Sequence, residues 1–188
     1  MLQATCHYAF DRGWLDVNLS PKIPRLREDN AREVYLTRSE VARLARHAPS
    51  RQSRAAILLA AWTGLRASEL LALPATPRTA VRVAVLRAKG GRPRLVPVHA
   101  SVRPLLAFLP IGMSYRRLVG EFWQAREAAG LQHVRFHDLR HTCASWLINA
   151  GVDLYLIGAI LGHSQAQSTA RYSHLADRTL HQAMRRIR

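Results

Sequence analysis

His137-Asp138-Leu139-Arg140-His141-Thr142 opens a predicted helix, and its reading decides the fold and the chemistry together. Leu139, Cys143, Trp146, Leu147 and Ala150 recur at helical spacing and form an apolar stripe. His137, Arg140 and His141 fall on the opposite side, where a core role is not expected. Downstream stand Leu161-Gly162-His163 and Arg171-Tyr172-Ser173-His174, and far upstream Thr63-Gly64-Leu65-Arg66-Ala67-Ser68-Glu69-Leu70. Two arginines, two histidines and a late tyrosine suit phosphodiester chemistry. A phenol attacking phosphate needs cations on the non-bridging oxygens and proton carriers nearby.

Working outward, the helical pattern continues in both directions. Thr37 and Glu40 have capping-box spacing ahead of Val41, Leu44 and Ala45, and Arg51 to Trp62 reads as a more buried helix. Thr63-Gly64 ends it, so Arg66 lies in a turn between helices, and Ser68 to Leu73 is a short helix stopped by Pro74. Val81 to Arg87 and Arg94 to Val98 read as strands around a tight Lys89-Gly90-Gly91 turn, which puts Lys89 on a hairpin. Helices follow over Ser101 to Leu109, Tyr115 to Ala129, Asp138 to Ala150, Leu154 to Leu161, Ala166 to Tyr172 and Ala176 to Ile187. The fold class is mainly α with a small antiparallel β-sheet or hairpin.

Composition bounds the partner. Of 188 residues, 28 are Lys or Arg against 12 Asp or Glu, a formal charge of +16 that calls for a polyanion: DNA, RNA or an anionic membrane surface. Ala55 to Trp62, the longest apolar run, is far shorter than the ~20 residues of a spanning helix. A cytoplasmic location is expected. Cys6 and Cys143 lack metal-ligand spacing, and the scattered carboxylates offer no pair for two magnesium ions, so no cofactor or metal is expected.

The ordered set Arg66, Lys89, His137, Arg140, His163 and Tyr172, within TGLRASEL, HDLRHT and LGHS followed by a tyrosine and a histidine, resembles the tyrosine recombinase (phage integrase) family. The resemblance runs from about Tyr35 to Ile187. It implies a metal-independent enzyme in which Tyr172 attacks the scissile phosphate, leaving a 3′-phosphotyrosine and a free 5′-hydroxyl. A hydroxyl of a second strand then reverses the reaction, giving site-specific recombination. Arg66 and Arg140 would hold phosphate oxygens, Lys89 would protonate the leaving 5′-oxygen, His137 would accept the tyrosine proton, and His163 would hydrogen-bond a non-bridging oxygen. Lys22 is the one other lysine, and arginine cannot usefully donate its proton. Glu69 would support the site from behind, while His141 and His174 would orient their segments.

The resemblance also implies double-stranded DNA as partner, a homo-oligomer (tetramer) on DNA, accessory DNA-bending or directionality proteins, and a nucleoid-associated location. The apolar stripe Leu180, Ala183, Met184, Ile187 would pack on a neighbouring subunit or on its own domain. Residues 1–34 read as the residual end of an N-terminal core-binding domain plus linker, and 35–188 as the catalytic domain. The clamping domain is thus expected to be missing, by truncation or in a shortened, decaying gene. Pro74-Ala75-Thr76-Pro77 departs from the family's usual Trp-Ser-Asp-like turn, and Pro104 to Ser114 is short. Two other readings are a DNA-binding remnant that does not cut and a type IB topoisomerase-like activity.

Overall fold

The computed structural model describes residues 2–24, 34–86 and 93–162. The chain divides into two compact units, Met1–Arg32 and Glu33–Arg188. In the first, α1 (Leu2–Asp11) ends at Gly13, whose φ of 68° lets Trp14 N donate back to Ala9 O. Trp14 then meets Tyr8 edge to face, and no residue of α1 is buried.

The second unit is built around α3 (Arg51–Thr63), which packs against α2 (Arg38–Arg46), α5 (Tyr115–Ala128), α6 (Asp138–Asn149) and a 3₁₀ helix (Ala100–Phe108). Its sequence explains that central place. Ala55, Ala56, Ala60 and Ala61 let neighbours approach the helix axis, while Ile57 and Leu59 fill the space between them, and all six are buried. Both α2 and α3 start on reciprocal caps: Thr37 with Glu40, and Ser50 with Ser53. Each such cap stabilises by about 1 kcal/mol. α4 (Ala67–Leu71) follows α3 after one turn, and α7 (Leu154–Leu161) packs on α6 and on the sheet.

Two strands, β1 (Arg82–Val85) and β2 (Arg94–Pro97), pair antiparallel with Val83 opposite Val96 and Val85 opposite Arg94. Val83, Val85, Val96 and Val98 face the core. The mainly helical fold with a small antiparallel sheet is the expected class. One expected helix takes a different form: Ala100–Phe108 is 3₁₀, with Pro104 inside it. A proline there can neither donate its amide nor tolerate the regular α spacing behind it.

Candidate active site

Gly64 is the pivot of the site. It caps α3 in the left-handed region at φ 68°, donating to Ala60 O at 2.9 Å, and a Cβ there would stand 2.3 Å from Leu161 Cδ2 and 3.4 Å from Cys143 Sγ. Glycine is therefore required twice, by backbone conformation and by the close approach of α6 and α7. Its carbonyl accepts from Arg140 NH1 at 2.8 Å. Two arginines 74 positions apart thereby belong to one local structure: Arg140 on the first turn of α6 grips the turn that presents Arg66.

Arg66 occupies the N-cap position of α4 with its side chain 29% exposed. Its backbone NH donates to Glu69 Oε2 and its NH1 to Glu69 Oε1, both at 2.9 Å. Glu69 itself is buried. Burial alone would raise its carboxyl pKa, but the fork from Arg94 and the two donors of Arg66 outweigh it and bring the value down from 4.5 to about 2. Glu69 is thus a fixed anion behind Arg66.

On α6, the expectation that Arg140 and His141 lie outside the core fails: they are 2% and 7% exposed, whereas His137 is exposed. The helix packs against both α3 and α7, so both its faces are covered and an apolar stripe does not mark the only buried side. His137 lies against His141, ring centroids 5.0 Å apart and nearly perpendicular. Asp138 accepts from Arg135 N at 2.8 Å, which sets the entry to the helix. Two further α6 residues hold the chain that leads into α2: Thr142 Oγ1 accepts from Leu36 N at 3.0 Å, and Trp146 Nε1 donates to Leu36 O at 3.0 Å. Cys143 is buried and its thiol is pushed up to about 12, so it acts as a small apolar group.

Arg94 was not singled out from the sequence. It donates through NH1 and NH2 to the two oxygens of Glu69 at 3.0 and 2.9 Å, and through Nε to Ile160 O in the last turn of α7 at 2.9 Å. A signal was present: strand alternation puts Arg94 in phase with Val96 and Val98, and a charge on an inward face needs a buried partner. Lys89, His163, Tyr172, His174 and the C-terminal stripe lie outside the described residues. Of the six expected catalytic residues, the described part of the structure brings Arg66 and Arg140 to one turn and places His137 at the start of the same helix as Arg140.

The phage integrase family matches over residues 112–179. Tyrosine recombinase XerD of Caulobacter vibrioides is 30% identical over 203 aligned residues, covering 90% of this chain and 66% of XerD. The integrase of Salmonella phage P22 is 36% identical over 90 residues, covering 47% of this chain and 23% of that protein. The XerA recombinase crystal structure superposes with a TM-score of 0.68 at 26% identity, covering 95% of this chain and 72% of XerA. The catalytic domain of bacteriophage HP1 integrase shares the fold with a TM-score of 0.63 at 24% identity, covering 83% of this chain and 96% of that domain. The chain spans 66% of the length of the Caulobacter XerD and 46% of the length of XerD from Rhizobium meliloti. Sharing 30% of its residues with XerD over nine-tenths of its own length, and the fold of integrase catalytic domains, the chain belongs to the tyrosine recombinase (phage integrase) family.

Proposed function

We propose that this chain is a metal-independent DNA strand transferase that cleaves and rejoins duplex DNA at specific sites. The observation that carries the reading is the hydrogen bond from Arg140 to Gly64 O, because it ties the second phosphate-binding arginine to the turn that presents the first. An arginine carried by that turn and a second arginine bonded to it suit the two non-bridging oxygens of a single phosphate.

In the proposed step, Tyr172 Oη attacks the scissile phosphorus as His137 takes its proton, and the bond from phosphorus to the 5′-oxygen breaks. Lys89 gives its proton to that oxygen, while Arg66, Arg140 and His163 neutralise the charge that grows on the non-bridging oxygens. The phosphotyrosine conserves the energy of the broken ester, so a 5′-hydroxyl from another strand reseals it without a nucleotide. An unperturbed phenol titrates at about 10, so the cluster of cations also favours the attacking phenolate.

Duplex DNA is the proposed partner. A formal charge of +16 supports it, as do the λ integrase and Tn1549 integrase structures, solved with DNA, that share the fold. Residues 1–34 are proposed as the end of a core-binding domain with its linker and 35–188 as the catalytic domain. The working form is a tetramer on nucleoid DNA, joined through the C-terminal helix, with accessory bending or directionality proteins choosing the direction.

The test is trapping on a nicked suicide duplex carrying a candidate core site, without added metal and with EDTA present. Wild type should form a covalent band on a denaturing gel and Tyr172→Phe none, with DNA binding retained. Salt-sensitive binding with no band on any core site would move the reading to a DNA-binding remnant. Adduct formation and supercoil relaxation without site preference would move it to a type IB topoisomerase-like enzyme.

A further inference from the structure

We propose that Arg94 is a positioning residue for strand cleavage, holding Arg66 through Glu69 and the approach to His163 through the end of α7. The inference rests on the reaction proposed above, and three observations carry it. First, the Arg94 side chain is only 10% exposed and its Nε, NH1 and NH2 are all engaged, by Ile160 O and by both oxygens of Glu69. An arginine so committed has no fork to offer a phosphate, which separates its role from that of Arg66.

Second, Glu69 joins the two arginines. Each of its oxygens accepts once from Arg94 and once from Arg66, so the azimuth of the Arg66 side chain is set by an anion that Arg94 itself holds in place. Third, Gly162 lies directly against the same guanidinium. At φ 72°, a Cβ on Gly162 would stand 2.7 Å from Arg94 Cζ and NH1. Ile160 O is one of the carbonyls a helix end leaves without an intrahelical partner, and Arg94 supplies the donor. The chain leaves this contact at Gly162 and its next residue is His163. A single strand residue thus connects the α3–α4 turn to the segment that leads into His163.

Arg94→Lys and Arg94→Gln test the assignment by single-turnover cleavage of the nicked suicide duplex. The lysine keeps a cation beside Glu69 but is a point donor that cannot hold two carboxylate oxygens and a carbonyl together. Expected is a loss of roughly tenfold or more in cleavage rate, the scale of a misplaced transition-state donor, with DNA affinity within about twofold of wild type.

A second substrate separates positioning from general loosening. A scissile methylphosphonate lacks one of the charged non-bridging oxygens, so it makes less demand on a correctly aimed guanidinium. The gap between wild type and either variant should narrow on it. Cleavage by Arg94→Lys within about threefold of wild type on the ordinary phosphate overturns the inference while leaving the proposed reaction standing, since a misplaced donor would cost more. An equal loss on both substrates, with a lowered melting temperature, assigns Arg94 to stability alone and also overturns it. Absence of any Tyr172-dependent adduct from wild type overturns the reaction and this inference with it.

Discussion

Gly64 and Glu69 show how much a single residue decides here. Gly64 and Gly130 have the same left-handed backbone, φ 68° and 67°, yet a Cβ at Gly130 would meet nothing within 4 Å while one at Gly64 would strike Leu161. Gly130→Ala should therefore lose only the backbone preference, about 1 kcal/mol, whereas Gly64→Ala should lose about 2–4 kcal/mol by adding overpacking. Urea midpoints of the two variants check this, and equal losses would show that α6 and α7 yield. Glu69 makes stability depend on pH with a definite sign. Its folded pKa lies below its ordinary value, so its contribution is complete above about 4.5 and is lost as pH falls toward about 2. The stability difference between wild type and Glu69→Gln should shrink across that window. A difference that stays constant would mean the carboxylate is not held by its arginines. At the proposed catalytic level, Arg140→Ala should slow cleavage by roughly a hundredfold or more, the cost of one transition-state donor, read in the same suicide-substrate assay.

At the scale of elements, α6 works on several neighbours at once. Its first turn grips Gly64 through Arg140, and its middle holds both backbone groups of Leu36 through Thr142 and Trp146. Thr142 is wholly buried, and its hydroxyl accepts from Leu36 N while donating to Asp138 O. Thr142→Val preserves shape but strands the buried Leu36 amide, so about 1–3 kcal/mol of stability should go, with faster hydrogen exchange at that amide. Unchanged exchange there would mean the segment before α2 is held by packing alone. The sheet plays a comparable part: it is only two strands among the described residues, yet it carries the largely covered cation that reaches both α4 and α7.

For the whole molecule, charge is the dominant fact. With +16 spread over 188 residues, DNA affinity should fall steeply with salt. Six phosphate contacts would lower it by about a thousandfold between 50 and 200 mM salt. Tyr172→Phe should show the same slope, because a phenol adds no charge to the bound state; a flat slope would remove nucleic acid as the partner. Hydrophobic burial is arranged around α3, so core and site share one helix: its buried alanines face the interior and its last residues, Thr63 and Gly64, open the turn to Arg66.

Local signals were sufficient for much of this. The cap at Thr37, glycine after Thr63, proline after Leu73 and strand alternation at residues 82–85 and 94–97 act within a few residues of themselves, so element boundaries and fold class were legible in the chain. The ordered motifs were equally legible as a family resemblance. Pro104 stood in the sequence too, but its conversion of a helix to 3₁₀ geometry was not anticipated. The burial of Arg140 and His141 was hidden, because a helical stripe reports one covered face and says nothing of a second helix packed on the other. The Arg94–Glu69 pair was hidden for a related reason: 25 residues separate the partners, and only folding decides which cation meets which buried anion. Sequence by itself determined the elements, the charge and the family, since these follow from short-range backbone chemistry and composition. Tertiary structure alone decided which arginine faces solvent at the site, which one grips its turn and which one braces it from behind, because desolvation and pairing depend on distant neighbours.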